Sequence, residues 1–226
     1  MADSDGMNEP IVFLSCTAEA MAHLSKNDPL LKGVIEQIGP ICRPADRDPF
    51  SSIVRHIIGQ QISMAAQATI WQRLGDLVGS VEPATIAPLS INRLQSVGMT
   101  FRKAEYIHKA ATRVVEGSFD LDLVNRLSDE EAIKALMELK GIGRWTAEMI
   151  LLFGMHRPDI LSYGDLAILR GMRVLYGYDE VNRERFEEHR KSYSPHGTLA
   201  SLYLWAVSKP SYSATLSRWE SNTQLS

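Results

Sequence analysis

Cysteine is scarce in this 226-residue chain, which carries only Cys16 and Cys42. Two cysteines exclude a disulfide framework, a zinc site built from cysteine pairs and a four-cysteine iron–sulfur cluster. Both are read as reduced residues of core or surface. Long apolar runs are lacking too: none approaches the ~18–20 uninterrupted residues of a membrane span. The acidic start from Met1 to Pro10 has neither the basic nor the apolar region of a signal peptide, so a soluble intracellular protein with no membrane partner is expected. A third lack is positive charge. Lys and Arg number 24 against 27 Asp and Glu, a net charge of −3, and the pI is near 6.1. A broadly basic nucleic-acid-binding domain usually lies above pI ~9. Any nucleic acid must therefore be held by a few cations and by backbone N–H groups at helix N-termini. The six histidines, His56, His108, His156 and His196 among them, show no metal-ligand spacing.

What is present is helical periodicity, with no alternating strand series, so the class is all-α. Asp28-Pro29 fits a cap and first-turn proline for a helix through Leu30, Val34 and Ile38, ended by Gly39-Pro40. A segment from Pro49 through Ile62 leads into an amphipathic stretch from Ala65 to Leu77, with Gly59 as an interruption. Glu82 to Ser90 is a connection, followed by a short segment around Leu94 and a helix from Ala104 to Val115 that Gly117 stops. Ser128-Asp129-Glu130-Glu131 is a capping box for the next helix. Helices over Asp165 to Tyr176 and Thr198 to Val207 follow, and the mixed-sign stretch near Asn182 to Lys191 reads as a solvated helix face. Two interleaved helical lobes are expected. A tail and first short helix span 1–27, a core spans 28–208 and a C-terminal tail spans 209–226, with mobile ends at 1–9 and 220–226.

Gly141-Ile142-Gly143 lies between two amphipathic helices. Paired glycines permit positive φ and clear the way for another backbone, so the amides there can form a phosphate nest. The same spacing also suits a helical hairpin whose glycines serve packing alone. Asp165 follows Gly143 by 22 positions, and an acid after Gly164 at a helix start is by itself an ordinary N-cap.

The wider string Leu139-Lys140-Gly141-Ile142-Gly143-Arg144-Trp145-Thr146-Ala147, followed by Arg157-Pro158 through Gly164-Asp165-Leu166, resembles the helix-hairpin-helix DNA glycosylase superfamily. Pro49 to Ser63 resembles the family's DNA wedge segment, Gly98-Met99-Thr100 its second turn, and Leu199 to Trp205 its closing helix. The resemblance covers roughly 28–208 and points to the branch of 3-methyladenine DNA glycosylase II. Its larger forms carry an N-terminal β domain for which there is no room before Asp28, so the chain resembles the compact forms.

The resemblance implies a cleft between the lobes and an N-glycosylase that flips out and hydrolyses alkylated purines from double-stranded DNA. It implies Asp165 as the catalytic carboxylate, with Trp145, Trp205, Met149 and Leu166 at the base pocket. Met149 and Leu166 stand where a larger relative has tyrosines. Gln61, or else Gln60, is the wedge that fills the gap left by the flipped nucleotide. Gly141, Ile142, Gly143 and Thr146 are expected to bind DNA backbone. A monovalent cation, sodium or potassium, is expected on the carbonyls of Met137, Leu139 and Ile142, and no cofactor is expected for the chemistry. Bifunctional relatives carry a lysine where this chain has Trp145, and indole forms no Schiff base, so no lyase activity is expected. A monomer is expected, cytoplasmic in a bacterium and nuclear in a eukaryote. A mismatch or oxidised-base glycosylase, and a non-catalytic helix-hairpin-helix DNA binder, are the alternatives.

Overall fold

The computed structural model describes residues 13, 14, 16–210 and 212, and the expected mobile ends lie outside them. Thirteen helices form within these residues: α1 (Ala18–Asn27), α2 (Pro29–Ile38), α3 (Pro49–Gly59), α4 (Met64–Val78), α5 (Pro83–Ile86), α6 (Ile91–Gln95), α7 (Phe101–Val115), α8 (Leu121–Arg126), α9 (Asp129–Leu136), α10 (Arg144–Phe153), α11 (Leu166–Tyr176), α12 (Arg183–Tyr193) and α13 (Gly197–Val207). An isolated bridge between Phe13 and Pro44 is the only extended pairing among the described residues. None of these helices is long and apolar enough to cross a membrane.

The helices start where their caps dictate. Asp28 accepts from the amides of Leu30 and Leu31 at 3.0 and 2.9 Å ahead of α2, and Asp48 accepts from Ser51 at 2.8 Å ahead of α3. The Glu131 carboxylate accepts from the Ser128 amide at 3.1 Å, completing the capping box of α9. Ser63 caps α4 through the Ala66 amide, so the long amphipathic stretch is two helices joined by the turn Gln60–Ser63. Two elements correct the sequence reading. The connection 82–90 contains α5, and α8 lies ahead of the capping box. Neither is long enough for a 3.6-residue period to register. The charged stretch 182–191 is helical, but α12 buries Phe186 and Tyr193 on its inner side.

Contacts sort the helices into two groups. α1 and α2 pack with α11, α12 and α13, whereas α3 packs with α4, α7 and α10, α5 and α6 pack on α7, and α8 and α10 pack on α9. The N-terminal helices therefore complete the C-terminal lobe, and the segment between them builds the other, which is the interleaving expected. Leu24 of α1 is fully buried, so this lobe begins ahead of residue 28. α11 and α13 approach so closely that a Cβ on Gly171 would overlap the Leu204 carbonyl. One continuous apolar core runs through both lobes.

Candidate active site and nucleic-acid interface

Between α9 and α10 the chain reverses through a hairpin. Gly141 has φ +89°, a left-handed conformation that side chains resist, and a Cβ there would overlap the Tyr106 ring. Gly143, at φ −94° and ψ 175°, caps α10 without a side chain. Its carbonyl receives the Ala147 amide at 2.9 Å, which leaves the amides of Arg144, Trp145 and Thr146 ahead of the first helical bond. They have no partner among the described residues, and the space beside Gly143 is open. Ile142 and Thr146 are buried, and the Ile142 amide is engaged by the Leu139 carbonyl at 3.1 Å.

The first turn of α10 faces the start of α11. Asp165, 7% exposed, caps α11 by accepting the amides of Ala167 and Ile168 on Oδ1 at 2.8 and 3.1 Å. Its Oδ2 accepts the indole N–H of Trp145 at 3.0 Å. Capping and a place beside Trp145 coexist in one carboxylate. The loop leading to Asp165 is braced from two sides. Asp159 accepts from Ser194 Oγ at 2.6 Å and the Gly197 amide at 2.9 Å, while Ser201 Oγ donates to the Ile160 carbonyl at 2.8 Å. On the other side Ser162 Oγ donates to Glu148 of α10, and the Ser162 carbonyl receives the Asp165 amide at 3.3 Å. Glu148 also accepts from Arg144 Nε at 3.1 Å. Burial holds the Glu148 carboxyl above its ordinary range, against the opposing pull of Ser162 and Arg144.

The expected pocket residues separate into two groups. Trp145 is 43% exposed and Leu166, directly after Asp165 in the chain, is 75% exposed. Trp145, Met149 and Phe153 recur every fourth residue and so share a face of α10. Met149, however, is 2% exposed and forms the floor beneath that face instead of an open wall. Trp205 stacks on Phe153, centroids 5.9 Å apart and planes 5° apart, with the Arg43 guanidinium 5.7 Å over its ring. Trp145 and Phe153 are separated by about 12 Å of helix axis. Trp205 thus belongs to the far end of α10, at two turns' distance from the Trp145–Asp165 bond.

A cavity of about 360 Å³ opens beside Trp145, lined by Gln60, Gln61, Arg102, Lys103, Tyr106 and Thr146. It brings the expected wedge segment against the hairpin helix. Gln60 is corrected as a wedge candidate, because its Nε2 donates to the Gly141 carbonyl at 2.7 Å and the side chain is engaged within the fold. Gln61 is exposed, at φ +57°. Lys103 Nζ donates to the carbonyls of Ile58 and Gln60 at 2.8 and 2.6 Å, and burial together with the neighbouring Arg102 draws its ammonium below its ordinary value.

For a cation on the hairpin, the Leu139 carbonyl already accepts the Ile142 amide at 3.1 Å, whereas those of Met137 and Ile142 have no backbone partner among the described residues. Sequence reasoning missed Glu148 with Ser162, Phe153 beneath Trp205, and Tyr106 against Gly141. For Glu148 a signal existed: it is a lone acid inside the apolar run from Ala147 to Phe153, a place that requires a partner.

A family model for the HhH-GPD superfamily of base excision DNA repair proteins matches residues 54–196. The chain is 29% identical over 205 residues to DNA-3-methyladenine glycosylase 1 of Schizosaccharomyces pombe, covering 87% of this chain and 90% of that one. The crystal structure of DNA-3-methyladenine glycosidase from Bacillus halodurans superposes with a TM-score of 0.78 at 32% identity, covering 88% and 94% of the two chains. The 3-methyladenine DNA glycosylase of Schizosaccharomyces pombe, solved in complex with abasic DNA, superposes at 0.72 with 29% identity, covering 83% and 95%. With the hairpin, the all-helical interleaved lobes and a match over more than half its length, the chain belongs to the HhH-GPD superfamily of base excision DNA repair proteins.

Proposed function

We propose that this chain is a monofunctional DNA N-glycosylase that extrudes alkylated purines, 3-methyladenine among them, from duplex DNA and hydrolyses the bond between base and sugar. The observation that carries the reading is the buried Asp165 carboxylate, held by the Trp145 indole and by the first turn of α11. Its support is the likeness to relatives that bear the names of 3-methyladenine glycosylases.

In the reaction the bond from sugar C1′ to the base nitrogen breaks and its electron pair leaves with the base. An alkylated purine is cationic, so it departs neutral without a protein acid. Positive charge develops on the sugar, and the fixed Asp165 carboxylate stabilises it. Water then adds to C1′ and loses a proton, leaving an abasic sugar. The open π-face of Trp145 suits an electron-poor base, a contact of roughly 0.5–2 kcal/mol, and Leu166 is assigned beside it. Met149 and Trp205 are assigned to the inner pocket, with the Trp205 end reached along the face of α10. Gln61 fills the gap in the stack. The amides of the hairpin and of Arg144, Trp145 and Thr146 take DNA phosphate. Sodium or potassium on the carbonyls of Met137, Leu139 and Ile142 would add a positive charge facing that phosphate.

Incubation with methylated DNA, followed by chromatography of the released bases, tests the reading. Free 3-methyladenine and an intact abasic strand are expected, since indole nitrogen supplies no amine for a Schiff base. Absence of any released methylpurine would remove the proposal. A borohydride-trapped protein–DNA adduct would instead overturn its monofunctional part.

A further inference from the structure

Gln61 stands in a backbone conformation that its own side chain disfavours, and atoms of other elements hold it there. Its φ of +57° lies in the left-handed region, where a non-glycine residue persists only when the surrounding structure over-determines it. α3 ends at Gly59, directly before this turn, and the last carbonyls of a helix have no partner within it. Lys103, in the first turn of α7, supplies one ammonium to two of these groups, the carbonyls of Ile58 and Gln60, at 2.8 and 2.6 Å. The Gln60 side chain fastens the same turn to the Gly141 carbonyl at 2.7 Å. From α4, Gln67 Nε2 reaches the Arg55 carbonyl at 2.8 Å. The backbone bonds of the turn itself are long: Gln60 to Ile57 and Ile62 to Gly59 are both 3.4 Å. Side chains from outside the turn, rather than its own ladder, fix its shape.

We infer that Lys103 is a positioning residue which holds the Gln60–Gln61 turn in its protruding form, so that Gln61 enters the duplex already ordered. The inference rests on the reading of Gln61 as the wedge. Ordering a loop at the moment of binding subtracts from affinity, whereas a preorganised one avoids that loss. The benefit applies where there is a gap to fill: extruding a paired and stacked nucleotide is costly, and an unpaired one much less so. The effect of Lys103 must therefore scale with the extrusion cost. A lysine that merely stabilised the fold or touched phosphate would affect paired and unpaired substrates alike.

The test is Lys103→Met, which keeps the apolar stem and removes the donors. Two measurements are made: single-turnover release of a methylated purine from a fully paired duplex and from a duplex with the lesion in a bulge, and amide hydrogen exchange at Gln60 and Ile62 in the protein alone. The expected result is about a tenfold loss on the paired substrate, less than twofold on the bulged one, and faster exchange at both amides. Equal losses on the two substrates, no loss on either, or unchanged exchange would overturn the assignment. Should the methionine variant not fold, Lys103→Gln, which leaves one shorter donor, is read by the same criteria. If the wild type releases base from neither substrate, the glycosylase reading fails, and the exchange measurement still decides whether Lys103 holds the turn.

Discussion

Asp165 divides its two oxygens between a helix and a tryptophan, Oδ1 taking the amides of Ala167 and Ile168 and Oδ2 the indole of Trp145. Asparagine keeps a carbonyl oxygen for the amides and ranks with aspartate as an N-cap, whereas alanine offers nothing. Asp165→Asn should therefore keep the cap while losing the acceptor for the Trp145 indole, and Asp165→Ala, which loses both, should be less stable than it by about 1 kcal/mol. Identical denaturation midpoints for the two variants would show that the cap contributes nothing. This residue was legible in the sequence because a spacing and a family likeness both pointed to it. Its braces were not. Ser162 and Glu148 are 14 positions apart and belong to no shared pattern, and an acid within an apolar helix tells only that a partner exists. The depth of Met149 beneath the face of α10 was not legible, since periodicity gives direction and not exposure.

At the scale of elements, the hairpin is where local geometry and function are most separable. Gly141 is required by its φ and by the Tyr106 ring. Gly143 is required by neither, because its backbone is extended and a Cβ would meet open space. Gly143→Val should leave the circular dichroism of the helices intact and weaken DNA binding about tenfold, the loss expected when one charge-assisted hydrogen bond of ~1.4 kcal/mol is blocked. Unchanged affinity in the folded variant would place the DNA contact elsewhere, and loss of the fold would support a packing role. Helix boundaries were legible where the sequence offered a recognisable capping residue ahead of an amphipathic run, as at Asp28 and Ser128. They were not legible in α5 and α8, whose four and six residues are shorter than two turns.

In the whole molecule, the site is assembled across the lobes. α11, with Asp165 at its start, packs with α13 and α2, while α10, with Trp145, packs with α3 and α9. The Trp145–Asp165 bond thus joins the two halves, and the turn after α3 meets the hairpin within one of them through Gln60. In the proposed reading, a chain of net charge −3 holds DNA through backbone amides at a helix start and not through a basic face. The class and the interleaving were legible from periodicity and from the lack of a long flexible linker, whereas the cross-lobe bond depends on packing between residues 20 positions apart. The most direct test of the account compares wild type and Asp165→Asn in single turnover on an end-labelled duplex bearing one methylated purine. The wild type should release the base and leave an intact abasic strand, and the variant should do so at least ~10²-fold more slowly with equal affinity for DNA. A variant that turns over at close to the wild-type rate would contradict it.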